Sequence, residues 1–273
     1  MRVAAVIALG LTAWALPAEA QNMALTYGVV GSSSIDGGGT DAQGALDTLS
    51  LQGGFPIVLD GGDWVLLPGL LFERFGFYGR DDVAAYGFGA SFVVFHRLSD
   101  VWGLALQTSL THHSDLGGSD ANAWGGTFSA IARRRLSEDH TLGFGGALTY
   151  RQGRWLPVPV VRWLLRTKRW TVDVLAPARA LVALRLTEDV ELGPQVHVGG
   201  GGASLTGLGL STRMVNVAVG LTARYRIAGP IYAFAFGGAT VFHRFQVDRD
   251  AGASATVFKT PAPTFSVGVR LVR

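Results

Sequence analysis

Met214-Val215-Asn216-Val217-Ala218-Val219-Gly220-Leu221-Thr222-Ala223-Arg224-Tyr225-Arg226-Ile227 carries the clearest two-residue alternation in the chain. Val215, Val217, Val219, Leu221, Ala223, Tyr225 and Ile227 share one parity, and Met214, Asn216, Ala218, Gly220, Thr222, Arg224 and Arg226 share the other. Successive side chains of a strand point to opposite faces, so this alternation separates an apolar face from a small and polar one; on a helix the two sets would mix. The run also exceeds the roughly 9 to 11 residues that a tilted barrel strand needs to cross a bilayer. It predicts a spanning strand with its valine-rich face toward lipid.

The same period recurs outward from this stretch. Phe265, Val267, Val269 and Leu271 alternate with Ser266, Gly268, Arg270 and Val272. Trp102, Leu104, Leu106 and Leu110 alternate with Gly103, Ala105, Gln107 and Ser109, and Leu142, Phe144, Leu148 and Tyr150 with Thr141, Gly143, Ala147 and Thr149. Strands are predicted over 24–32, 44–58, 63–73, 83–97, 101–112, 123–135, 141–151, 156–166, 170–176, 179–186, 190–199, 212–227, 231–244 and 264–272. The fold class that follows is all-β: an antiparallel up-and-down transmembrane β-barrel of about 14 strands, with 12 to 16 open. The ambiguity centres on Pro177, which marks either a true turn or a bulge.

A repeated phrase punctuates the strands: Arg97-Leu98-Ser99-Asp100, Arg135-Leu136-Ser137-Glu138-Asp139, Arg185-Leu186-Thr187-Glu188-Asp189 and, more loosely, Arg226-Ile227-Ala228-Gly229-Pro230. Arginine, aliphatic, hydroxyl or small residue, then an acidic or glycine turn reads as the closed end of a hairpin. Short connections are predicted at Asp60–Gly62, Ser99–Asp100, Ser137–His140, Thr167–Arg169, Thr187–Asp189 and Ala228–Pro230. Longer ones fall at Ser32–Gln43, Arg74–Asp82, His113–Asn122, Gly200–Ser211 and Gln246–Pro263, with Gln152-Gly153 a short exception. Short turns on one side and long loops on the other are the pattern of outer-membrane barrels. With an even strand count both ends of the barrel chain lie on the short-turn, periplasmic side. Trp64, Trp102, Trp155, Trp170, Tyr150 and Tyr225 fall near strand ends, where interfacial aromatic girdles belong.

Residues 1–20 carry Arg2, an apolar run from Val3 to Leu16, and Ala18-Glu19-Ala20 before Gln21, which reads as a secretory signal peptide with its cleavage site. Residues 21–273 form the single barrel domain. The chain has 48% hydrophobic and 16% charged residues and a mean hydropathy of +0.30, yet past residue 20 its most apolar stretch, Trp155–Leu165, is broken by Pro157, Pro159 and Arg162. Backbone groups in lipid must be paired within helices or a closed sheet, which leaves the barrel. No cysteine is present, so no disulfide framework is available. Removing residues 1–20 takes one base and one acid, so the net charge stays at 22 − 19 = +3. With arginines near turns and not in one aromatic-interleaved patch, nucleic acid is not an expected partner.

Tyr150–Leu186, with Leu156-Pro157-Val158, Trp163, Trp170, Ala176-Pro177-Ala178-Arg179 and Arg185-Leu186-Thr187, resembles an uncharacterised family of porin-like bacterial outer-membrane β-barrels classed as a domain of unknown function. The resemblance implies a barrel in the bacterial outer membrane, with outer-membrane lipids and the barrel assembly machinery as partners; it implies no activity and no oligomeric state. The chain departs from outer-membrane barrels in general at its end, Leu271-Val272-Arg273, where such barrels carry an aromatic residue.

Three sets of residues are candidates for function. Arg97, Arg135, Arg166, Arg185 and Arg226 precede turns and would ring the periplasmic mouth; with the inward-parity Arg162, Arg179 and Arg224 they would favour small anionic solutes, because charged rings set pore selectivity. The plainer alternative pairs these arginines with turn acids such as Asp100, Glu138, Asp139, Glu188 and Asp189, or with headgroups. His112 and Ser114 share a strand face, and the His-x-Ser spacing is similar to that of outer-membrane phospholipases and lipid A deacylases; Asp120 or Asn122 would complete a triad for a lipid esterase. Glycine runs at 37–39 and 199–202 lack the strand-to-helix context of a phosphate cradle. No metal or cofactor is expected: His197 and His243 are isolated in sequence, and Asp248–Asp250 lacks the other calcium ligands. The leading expectation is a non-enzymatic porin-like channel for small solutes, or a structural barrel. The alternative is the esterase.

Overall fold

Alternation places the two faces of every strand in different media, and a chain of such strands can satisfy its backbone only by closing on itself. The computed structural model describes residues 21–34, 43–78, 83–117, 123–151, 154–205, 210–249, 254–257 and 261–272, so the signal segment and Asp120 and Asn122 lie outside the described residues. The strands are β1 (Gln21–Ser34), β2 (Gln43–Gly54), β3 (Ile57–Leu59), β4 (Trp64–Tyr78), β5 (Val83–Arg97), β6 (Trp102–Ser114), β7 (Trp124–Ser137) and β8 (His140–Arg151). They continue with β9 (Arg154–Arg166), β10 (Trp170–Ala176), β11 (Arg179–Arg185), β12 (Val190–Leu205), β13 (Leu210–Ala228), β14 (Ile231–Arg249), β15 (Ser254–Val257) and β16 (Ala262–Val272).

Consecutive wall strands pair antiparallel, and β1 closes on β16 from Gln21 opposite Val272 to Val30 opposite Thr264. The short β3 and β15 are continuations, so the wall is a closed barrel of fourteen strands. β3 extends β2 along the same partner: Gly54 lies opposite Gly69 and Ile57 opposite Leu66. The break falls at Phe55-Pro56, where proline has no N–H to give the ladder. Pro177 marks a true turn between β10 and β11, with Leu175 opposite Arg179. Gln21 and Val272 both lie at the short-turn end.

Two expected loops are largely strand. β12 runs to Leu205 and pairs residue by residue with β13 down from Leu210, and β14 continues to Arg249, where β15 pairs it. Glycine carries no side chain, so Gly199 to Gly202 show no parity in the sequence although their backbones join the ladder. The segment 74–82 likewise begins as strand, since β4 reaches Tyr78.

The arginine phrase resolves into a rim. The amides of Arg97, Arg135, Arg166, Arg185 and Arg226 each donate to a carbonyl in the preceding short turn, on Asp63, Val101, Asp139, Arg169 and Asp189, at 2.7–2.8 Å. The hydroxyls cap the turns from within: Ser99 Oγ accepts the Trp102 amide at 3.1 Å, Thr167 Oγ1 the Trp170 amide at 2.9 Å, and Thr187 Oγ1 the Val190 amide at 3.1 Å. Neighbouring turns are thus joined side by side through backbone groups, with the hydroxyl holding each turn's shape.

The two faces differ in packing. Val215, Val219, Leu221, Tyr225 and Ile227 of β13 are exposed on the outside, as are Phe144, Phe265 and Trp170 elsewhere. The buried residues are mostly of the opposite parity, among them Leu67, Val93, Leu164, Leu181, Ala183, Phe236 and Thr240. The inward face, small and polar in the sequence, is closely packed along much of the wall.

Candidate functional site: the lumen

Inward parity on β9 to β13 gathers charge. Arg162 on β9 and Arg179 on β11 both bind Asp173 on β10, the second through Nη2 to Oδ2 at 2.6 Å. Nearer the rim, Glu191 on β12 receives Arg185 at 2.9 Å, Arg224 at 3.6 Å and the Thr171 hydroxyl at 3.1 Å. Arg166, next on the inward face of β9 after Arg162 and Leu164, interacts electrostatically with Asp173, Glu191 and Arg185. From the far side of the closure, Arg270 on β16 interacts with Arg224, Arg179 and Asp173 and lies 5.2 Å above the Phe234 ring. Arg133 on β7 lies 5.6 Å from the centre of the Phe95 ring.

Among the described residues of this belt, seven arginines (133, 162, 166, 179, 185, 224 and 270) therefore share two acids, Asp173 and Glu191, an excess of 7 − 2 = +5, while Glu73 across the lumen is taken by His113. Arg162 and Asp173 have side chains only 4% and 8% exposed. Desolvating paired charges is tolerable only where each keeps partners, and Asp173 supplies a shared one. Above this belt, His197 (both ring nitrogens), the Asn216 amide and the Thr240 hydroxyl are buried with no hydrogen-bond partner. They lie on adjacent strands: His197 is opposite Ala218, two residues from Asn216, and Ala218 is opposite Thr240. Unpartnered buried polar groups cost about 1–3 kcal/mol each and are the groups a solute could satisfy.

The opposite side of the wall is built differently. His113 on β6 reaches Glu73 on β4 at 2.9 Å across Gly87 of β5, and Phe75 meets the imidazole edge to face at 5.3 Å. A Cβ at Gly87 would land on the His113 ring, so the bare backbone makes room for the pair.

The sequence candidates thus separate. Arg162, Arg166, Arg179, Arg185 and Arg224 come together in the lumen. Arg97 and Arg226 stay at the rim, where Arg97 pairs with Asp63 at 2.8 Å and Arg226 with Asp189 at 2.6 Å. Asp63 comes from the neighbouring turn and was not among the expected acids, because the rim brings adjacent turns together. Arg135 is exposed and joins the rim through its amide. Sequence reasoning missed Arg133, Arg270, Asp173 and Glu191 as lumen residues, although their parity on alternating strands was available to find them.

His112 packs edge to face on Trp124 at 4.8 Å. Ser114 is 1% exposed, and its Oγ accepts the Leu116 amide at 3.3 Å. That hydroxyl is engaged in its own turn.

The fold resembles that of a solved outer-membrane channel. An outer-membrane channel from Pseudomonas putida F1 superposes with a TM-score of 0.55 at 12% identity, covering 95% of this chain and 97% of that one. The NanC porin gives 0.44 at 10% identity over 91% and 98%, and the KdgM porin 0.38 at 10% over the same shares. No protein-family model matches the sequence, so the likeness of Tyr150–Leu186 to the porin-like family of unknown function rests on those residues alone. No curated protein matches it in sequence either.

Proposed function

We propose that this chain is a channel of the bacterial outer membrane that prefers small anions. The observation that carries the reading is the arginine excess on the inner wall. Field lines in a low-dielectric tube are focused along its axis, so net positive charge on the wall raises the local concentration of anions. The unpartnered His197, Asn216 and Thr240 add polar groups on the same inner face. The closed wall with its apolar exterior supports the membrane setting, with outer-membrane lipids against that surface and delivery by the barrel assembly machinery.

The test is the reversal potential of the refolded protein in a planar bilayer under a potassium chloride gradient. Chloride should permeate more readily than potassium, and the double variant Arg224→Gln/Arg270→Gln should reduce that preference. A barrel that never conducts, or one that prefers potassium, would sink the reading.

A further inference from the structure

β10 and β11 have seven residues each. At about 3.3 Å per residue and a tilt near 45°, they rise about 16 Å from the rim, against an apolar band of about 25 Å. The outer edge of that band is marked on β4, where outward-facing residues stay apolar from Trp64 to Phe72 before Arg74 pairs with Asp47 at 3.1 Å. The wall above the Pro177-Ala178 turn is therefore notched within the membrane. β9 pairs with β10 only up to Val161 opposite Ala176, and β12 meets β11 only up to the bond from the Val198 amide to Ala178. Among the described residues, nothing pairs with the freed β9 edge over 154–160.

The freed edges are treated differently. Because the Arg166 amide faces β8, even-numbered amides of β9 face β8 and odd-numbered ones face the notch. Pro157 and Pro159 occupy two of those odd positions, which removes donors from the very edge that lacks a partner. The β12 edge leans away from β9 instead: its Ser204 carbonyl accepts the amide of Asp115, the residue just after β6, at 3.1 Å, bypassing β7 to β11.

Inside the notch the inward face of β9 is apolar, with the hydroxyls of Thr149 and Ser129 on the strands behind it. Ala147, Val160 and Leu175 form a buried cluster with Ile131, Val158 and Ala178 packed against it, and Leu156, of inward parity, is 51% exposed. One inward step below, Ile131 gives way to Arg133, Val160 to Arg162 and Leu175 to Asp173. A vestibule with an apolar β9 edge, open to the side, thus leads to the arginine belt.

We infer that the notch between β9 and β12 is a side entrance through which small apolar-tailed carboxylates pass between the outer leaflet and the lumen, the tail on Leu156, Val158 and Val160 and the carboxylate toward the arginines. The substrate class rests on the channel reading; the opening itself does not.

The native chain has no cysteine, so single cysteines carry a fluorophore cleanly. In vesicles with brominated phospholipid, label at Leu156→Cys should be quenched as strongly as at the outward control Val161→Cys, while the inward control Thr26→Cys should not be. Quenching at Leu156→Cys no greater than at Thr26→Cys would overturn the opening, whether or not the barrel conducts. For the solute class, block of the chloride current by straight-chain alkanoates should strengthen about threefold per added methylene from acetate to octanoate. Val158→Trp should reduce octanoate block about tenfold and change chloride conductance less than twofold, on the scale of one buried side chain. Block independent of chain length, or conductance and block falling together in Val158→Trp, would overturn the substrate class.

Discussion

The sector from β9 to β13 and the sector from β4 to β6 obey one alternation rule and fill the lumen in opposite ways. In the first, guanidiniums share two carboxylates beneath a notched wall. In the second, strands run thirteen to fifteen residues, and glycine makes room for a single His113–Glu73 pair. Parity decides which face a residue occupies; strand length and partner supply decide whether that face becomes a charged belt or a packed wall.

The contrast can be broken most sharply at Asp173. Asp173→Leu leaves Arg162 and Arg179 buried without their counter-ion, and should cost about 3–5 kcal/mol in urea unfolding followed by heat-modifiable migration. A loss below about 1 kcal/mol would mean that the belt is water-filled like an exposed ion pair. The packed sector answers to Gly87→Val, which forces the His113 ring aside and should cost about 1–3 kcal/mol in the same assay. If Asp173→Leu proves the milder of the two, the division between sectors fails.

Smaller effects belong to the rim. Thr187→Ala removes an acceptor from the turn and should cost about 1 kcal/mol or less, with Thr187→Ser close to the parent. Arg226→Gln, at an exposed pair, should leave the unfolding midpoint unchanged and move the reversal potential only slightly. A midpoint shift equal to that of Thr187→Ala would assign the rim's stability to charge and not to hydroxyl and backbone bonds.

Much of this was legible in the chain. Val215 to Ile227 announced its outward face, and the arginine phrase located the short turns because turn chemistry is local: a hydroxyl two or three residues from the amide it caps needs no distant partner. The esterase candidates His112 and Ser114 were equally visible as a spacing, but the burial of Ser114 depends on segments far away in sequence.

Period-two alternation and contacts within a few residues were enough to define the class of structure, the sidedness of the turns and the inward parity of the arginines. The tertiary structure alone decided that Asp173 and Glu191 each gather arginines from neighbouring strands, that Gly199 to Leu205 are strand, and that β12 turns from β9 to β6. Those outcomes depend on register between strands and on where each strand runs out of partners. Glycine-rich segments, having no side chains to alternate, carry no local trace of either.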